Sequence, residues 1–234
     1  MPDLSSIRAL TFDVFGTVVD WRGTIIEEGK TWEIDLDWAA LADGWRAGYQ
    51  PAMQRVRSGE LGWTRLDDLH RMILDGLLPA FGLNGLSEER LDHLNRVWHR
   101  LRPWPDALEG LTRLKQKYII APLSNGNLSL LTNMAKHAGL SWDCILSAEL
   151  ARHYKPDPEA YLTACRLLDL PPEQVLMVAA HEGDLRAAAS VGMRTAYVHR
   201  PLEYGPEHPK PWPAETFDLM AQDFVHLAAL SEET

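Results

Sequence analysis

Short apolar runs that alternate with helical patterns dominate this chain and restrict its fold more than any other feature. Ile7 to Phe12, Tyr118 to Leu123, Val175 to Ala180 and Arg194 to Val198 are nearly continuous in apolar residues. Runs of that length without polar alternates suit parallel strands buried on both faces. Cys144 to Leu146 reads as a shorter strand of the same kind. Helical spacing lies between them, in Leu108 to Gln116, Leu128 to His137, Glu159 to Leu168 and Leu185 to Ser190. Strand and helix in alternation predict an α/β fold with a doubly wound, Rossmann-like parallel sheet. Phe217 to Leu230 closes the chain as a strand or turn followed by a short helix.

One stretch breaks the rhythm. From Trp21 to Arg102 amphipathic helices follow one another with no convincing strand, which predicts a helical cap inserted into the core. The expected division is residues 1–20 and 104–234 for the core and 21–103 for the cap. A chain of 234 residues has room for one core with such an insertion. Arg102-Pro103-Trp104-Pro105 is the return hinge, and Pro201 to Pro213, with five prolines, is a long loop. Trp21, Trp32, Trp38, Trp45, Trp63 and Trp98 are six of the nine tryptophans, and they fall in the cap. There they pack a small core and hinge, with a few lining a compact pocket.

Charge and cysteine content exclude several classes. The formal charge of −10 opposes nucleic acid and anionic membrane as partners, because both bind through excess Lys and Arg. A small anionic substrate then requires a locally basic pocket. Cys144 and Cys165 are the two cysteines, too few for a disulfide framework or a Cys-rich metal cluster. Met1 to Arg8 has no charged-then-apolar leader pattern, and no apolar run approaches the length of a membrane span. The expected location is the cytoplasm.

Polar clusters sit at the expected strand ends, where open parallel sheets gather their active sites. They are Asp13-Val-Phe-Gly-Thr17, Ser124-Asn125-Gly126-Asn127, Lys155-Pro156-Asp157 and His181-Glu182-Gly183-Asp184. A carboxylate directly after a strand, followed by a Gly-Thr turn, is placed to attack an electrophile. Alone, such a segment is also an ordinary turn, since Asp, Gly and Thr are common turn and cap residues.

In this order the clusters resemble those of the haloacid dehalogenase superfamily, over Ile7 to about Arg200. Asp13 to Val18 resembles its nucleophile loop, Ser124-Asn125 its second motif, Lys155-Pro156 its third and Asp184 its acidic fourth. Phosphatases of the superfamily carry a second Asp two residues after the nucleophile, where this chain has Phe15. An aromatic ring cannot protonate a leaving group, whereas halide leaves as an anion and needs no proton. Within the superfamily the chain is therefore similar to the type II 2-haloacid dehalogenases.

That resemblance implies a small 2-halocarboxylate substrate, hydrolysed to the 2-hydroxy acid and halide through an ester of Asp13, with inversion and preference for the (S) isomer. Trp45-Arg46 resembles the pair that such enzymes hold over the nucleophile, and Arg46 would meet the halide with Asn125. Ser124 would hold the substrate carboxylate, with backbone N–H groups of the turn formed by Phe15, Gly16 and Thr17. Lys155 would keep Asp13 ionised, and Tyr161 matches the family spacing after it. The fourth motif departs from the usual Ser-Ser-Asn: Ala179-Ala180-His181 stands there. A neutral His181 would accept a proton from the hydrolytic water or orient it, with Asp184 pairing Lys155 and helping to fix the ring; or it bonds backbone at the strand exit. No cofactor is implied, and a homodimer is the candidate assembly.

Two alternatives stay open. Asp13, Glu182 and Asp184 offer oxygen ligands for Mg²⁺, as a phosphatase acting on a small phosphorylated metabolite would use, and a fold of this kind also serves as a non-catalytic anion binder. Phe15 and the acidic pair broken by Gly183 point to chemistry without metal, so halide release is expected to persist after exhaustive chelation. Loss of activity that added Mg²⁺ restores would move the chain to the phosphatase side.

Overall fold

The computed structural model describes residues 5–232; residues 1–4 and 233–234, which the sequence assigns to the core, lie outside it. A six-stranded sheet is formed by β1 (Ala9–Phe12), β4 (Ile119–Ser124), β5 (Leu146–Ser147), β6 (Val175–Ala179), β7 (Arg194–Val198) and β8 (Leu219–Ala221). Its order is β5-β4-β1-β6-β7-β8, with every pairing parallel. Two further strands, β2 (Val19–Asp20) and β3 (Arg102–Pro103), pair antiparallel at the point where the chain leaves and re-enters the sheet. This ribbon is an addition to the sequence expectation, because two-residue strands carry no readable periodicity.

Alternate strand residues enter two separate cores, as a sheet covered on both faces requires. Leu10, Phe12, Ile120, Leu176 and Val178 pack to one side with α5 (Ala107–Lys115), α6 (Leu128–Ala138) and α10 (Phe224–Glu232). Ala121, Leu123, Val175 and Met177 pack to the other with α8 (Pro158–Leu167) and α9 (Glu182–Ser190). The short α7 (Ala148–Ala151) follows β5. The sheet is thus doubly wound. Chain order runs from β1 outward through β4 and β5, then returns to β6 on the opposite side, so the switch point lies at the carboxyl end of β1.

Between β2 and β3 stand α1 (Trp21–Lys30), α2 (Trp38–Arg57), α3 (Leu66–Leu77), α4 (Glu88–Asn95) and a 3₁₀ turn, Arg96–Arg100. Asp20 and Asp37 start the first two helices by accepting the N–H groups of Gly23 and Ala40. Trp21, Trp38, Trp45 and Trp98 are buried, while Trp32 and Trp63 are half-buried. Buried Ala42, Trp45, Tyr49 and Met53 recur at helical spacing along α2 and turn that face inward, where Trp45 packs edge-on against His70 and Trp98. Polar links pin these helices over the sheet: Asn127 bonds Asp67 at 2.9 Å, and Arg57 bonds Asp157 at 2.9 Å. No helix among the described residues is long and apolar enough to cross a membrane.

Helix backbones approach closely where α5 crosses α10. A Cβ placed on Gly110 would overlap the Cβ and carbonyl group of Phe224, and backbone atoms cannot rotate aside. Gly110→Ala gains helix propensity of about 1 kcal/mol, but overpacking against backbone outweighs it. We expect a net loss of roughly 2 kcal/mol in urea unfolding. A neutral or stabilising effect would mean that the two helices slide apart at little cost.

Candidate active site

Asp13 follows β1 with its backbone still in register, its N–H bonding the Val178 carbonyl at 2.9 Å. The chain then turns sharply. Gly16 takes φ +84°, a left-handed conformation open to glycine, and its N–H bonds Val19 O at 3.0 Å. Thr17 Oγ1 accepts the Ala180 N–H at 2.9 Å and donates to Asp13 Oδ2 at 2.7 Å. Arg200, buried and paired with Asp106, donates to the Thr17 carbonyl at 2.8 Å. The loop after β1 is thereby fixed from β6 and from the loop after β7.

Lys155 lies between two carboxylates, its Nζ 3.0 Å from Asp13 Oδ1 and 2.5 Å from Asp184 Oδ2. The Tyr161 hydroxyl donates to the other oxygen of Asp184. Asn125 clamps the lysine backbone, accepting its N–H at 2.7 Å and donating to its carbonyl at 3.3 Å. Burial alone would raise the Asp13 carboxyl, yet the Lys155 ammonium, with help from His181 and Thr17, holds it well below the usual carboxylate range. Burial likewise opposes the Lys155 charge, but Asp13 and Asp184 push its pKa upward. Burial raises Asp184 despite its lysine partner.

His181 sits at the start of α9 with both ring nitrogens facing carboxylate oxygens: Nδ1 is 2.9 Å from Asp13 Oδ2 and Nε2 2.8 Å from Glu203 Oε1. A neutral imidazole has one N–H, so its second nitrogen would point a lone pair at an anion. The ring is a cation. Burial disfavours that charge, but Glu203 and Asp13 outweigh it and push the pKa up to about 9. Glu203 is fully buried, and its second oxygen accepts from Lys210 at 3.2 Å. Against the effect of burial, His181 and then Lys210 draw the Glu203 carboxyl down to about 2.

A cavity of about 480 Å³ opens over these groups and is roofed by α2. Arg46 and Tyr49, one helical turn apart, both face it; the guanidinium lies 4.5 Å from the tyrosine ring centroid. Arg46 Nη1 is buried without a hydrogen-bond acceptor among the described residues. Three carboxylates, Asp13, Asp184 and Glu203, are met by four cations, Lys155, His181, Lys210 and Arg46. This is the locally basic pocket that an anionic substrate needs within a chain of charge −10.

Of the residues singled out by sequence, Asp13, Arg46, Asn125, Lys155, Tyr161, His181 and Asp184 meet at the cavity. Ser124, Phe15, Gly16 and Thr17 lie behind its wall. Phe15 packs edge-on against Trp98, centroids 5.7 Å apart, and the N–H groups of Gly16 and Thr17 are spent inside the turn, on Val19 and Val14. That corrects the expectation that these N–H groups hold a substrate carboxylate. Ser124 is fully buried and accepts the Gly126 N–H at 3.1 Å. The ring of His181 is fixed by Glu203 rather than by Asp184, a second correction. Glu203, Lys210, Arg200 and Tyr49 were missed. Only the first three had a signal, a polar stretch just past the strand ending at Val198.

The model of the haloacid dehalogenase-like hydrolase family matches residues 7–192. An (S)-2-haloacid dehalogenase from Burkholderia cepacia, named 4A, is 32% identical over 214 residues, 86% of this chain and 88% of that protein. The crystal structure of the L-2-haloacid dehalogenase PA0810 is 48% identical with a TM-score of 0.94, covering 97% of this chain and all of that one. That of the defluorinating L-2-haloacid dehalogenase Rha0230 is 46% identical with a TM-score of 0.88, covering 96% and 94%.

Removing the central cation tests the charge network. Lys155→Met keeps volume but leaves Asp13 and Asp184 buried without their shared partner. Unfolding free energy at neutral pH should fall by about 3 to 5 kcal/mol. Acidification should shrink that difference, because protonating either carboxylate relieves the repulsion. A loss that is small at every pH would show the two acids to be solvated well enough without the ammonium.

Proposed function

The chain belongs to the haloacid dehalogenase-like hydrolase family, and we propose that it converts small (S)-2-haloalkanoic acids to 2-hydroxy acids and halide through a covalent ester of Asp13. The single observation that carries this reading is a buried, ionised Asp13, held by Lys155 beneath Arg46, with an apolar Phe15 where a leaving-group acid would stand. Such a site suits an anionic substrate whose leaving group departs as an anion.

Asp13 attacks C2 in line and the carbon–halogen bond breaks. Arg46 receives the halide: its fixed N–H donors stabilise charge that develops only as the bond stretches. The unpaired Nη1 supports that role. Asn125 is the second halide contact. Its position on the cavity wall favours this, although its amide also braces the Lys155 backbone. Ser124, fully buried at the end of β4 behind the cavity wall, braces the turn that carries Asn125 by accepting the Gly126 N–H. Water then attacks Cγ of Asp13. Asp184, whose pKa burial raises, takes one water proton and passes it to the departing alkoxide; the other leaves to solvent as the carboxylate is restored. The product hydroxyl carries an original Asp13 oxygen.

The test is a single turnover in ¹⁸O water with (S)-2-chloropropionate. Label should enter Asp13 and not the product, and Asp13→Asn should release no halide. Label in the first-turnover product would replace covalent catalysis with direct hydrolysis, and no halide from the wild type would remove the dehalogenase reading.

A further inference from the structure

The displacement step leaves one unit of the site without work, the pair formed by half-buried His181 and fully buried Glu203. Its role follows from the lone pairs of Asp13. Oδ2 accepts from both Thr17 Oγ1, at 2.7 Å, and His181 Nδ1, at 2.9 Å, whereas among the described residues Oδ1 accepts from Lys155 alone, at 3.0 Å. Each carboxylate oxygen offers about two acceptor positions. Oδ1 therefore retains a lone pair for attack, and Oδ2 becomes the carbonyl oxygen of the ester.

We infer that the His181 imidazolium, held by Glu203, acts as the electrophile of ester hydrolysis, donating from Nδ1 to Asp13 Oδ2 as negative charge gathers there. This rests on Asp13 being alkylated as proposed above. When the water oxygen bonds Cγ, the carbonyl electron pair moves onto Oδ2, where Thr17 and His181 already point their protons. The pair returns as the bond from Cγ to the product oxygen breaks. No proton leaves His181 in either step. A general base would need a lone pair facing water, and both ring nitrogens are donors to carboxylates.

Glu203 is the positioning residue. Esterification removes the charge of Asp13, one of the two anions that keep the ring protonated, so Glu203 alone retains the imidazolium through the hydrolytic step. Lys210 fixes its second oxygen, and a side chain at position 16 would collide with it, which accounts for Gly16 beside it. The charged and titratable groups around the ring are Asp13 after β1, Glu203, Tyr204 and Lys210 in the loop after β7, Arg46 on α2, Asp184 on α9 and Lys155.

The sign of the pH dependence separates the two roles. In the resting enzyme the ring is protonated up to about pH 9, and losing Asp13's charge moves that limit downward in the ester. Hydrolysis by an electrophile is complete below the limit and falls as pH rises through it; hydrolysis by a base does the reverse. The experiment follows decay of the adduct on Asp13, formed from (S)-2-chloropropionate, by rapid quench and intact mass from about pH 6 to about pH 10. Wild-type decay should fall at alkaline pH. Glu203→Gln should still accumulate adduct, which shows the cavity is assembled, while its fall moves at least about one pH unit lower. His181→Asn, which keeps a neutral donor, should decay roughly tenfold more slowly than wild type at neutral pH and lose the fall altogether.

Decay that accelerates with pH, a Glu203→Gln profile matching wild type, or a fall that persists in His181→Asn would each overturn the inference while adduct formation upholds the covalent reading. Wild-type enzyme that forms no adduct on Asp13 would overturn both.

Discussion

A carboxylate that is buried and yet ionised needs cations close by, and at Asp13 that need organises the structure around it. Lys155 holds one oxygen at 3.0 Å, while Thr17 and the His181 ring hold the other. Each cation then requires an acceptor of its own, since an unpaired buried charge is costly. Lys155 takes Asp184, and His181 takes Glu203, which takes Lys210. Charges alternate outward from Asp13 until they reach solvent or backbone. A chain of net charge −10 can hold a basic cavity because this alternation is local.

No single element could supply these groups. β1 gives Asp13, the loop before α8 gives Lys155, the start of α9 gives His181 and Asp184, and the loop after β7 gives Glu203 and Lys210. They converge because β1 lies at the switch point, flanked by β4 and β6, so loops leave in opposite directions and open a crevice above it. Register matters for the same reason: Phe12 pairs with both Pro122 and Val178, so the three strands end within two residues of one level. α2 contributes the one cation that does not come from the sheet's edge, Arg46, carried on a face set by the buried Trp45 and Tyr49.

What the sequence made legible was the periodic and the local. Apolar runs gave the four longer strands to within two residues, and the polar clusters expected at strand ends contain nine of the eleven expected site residues, at or behind the cavity, because a strand end is a short-range property. Arg46 and Tyr161 came instead from resemblance and helical spacing. What could not be read was direction. Nothing in Gly16-Thr17 says that its N–H groups close a turn rather than bind a ligand, because that depends on Val14 and Val19 bending back. Glu203 stands 22 residues beyond His181, in a proline-rich loop without periodicity. Its contact is tertiary, and no local pattern announces it.

The departure of the fourth motif from Ser-Ser-Asn to Ala179-Ala180-His181 shows how such changes are coupled. An Asn beside Asp13 satisfies one acceptor and stays neutral. An imidazole brings a second nitrogen, and in a buried site that nitrogen must find a partner. Here the partner is a fully buried Glu203, itself tolerable only beside cations, which His181 and Lys210 provide. Glu203 in turn occupies the space next to Gly16, so the turn after Asp13 must keep a residue without a side chain there. His181, Glu203, Lys210 and Gly16 are therefore one physical unit spread over the sheet. Exchanging His181 alone for Asn would leave a buried carboxylate with one cation fewer, which is why the histidine and the glutamate belong together.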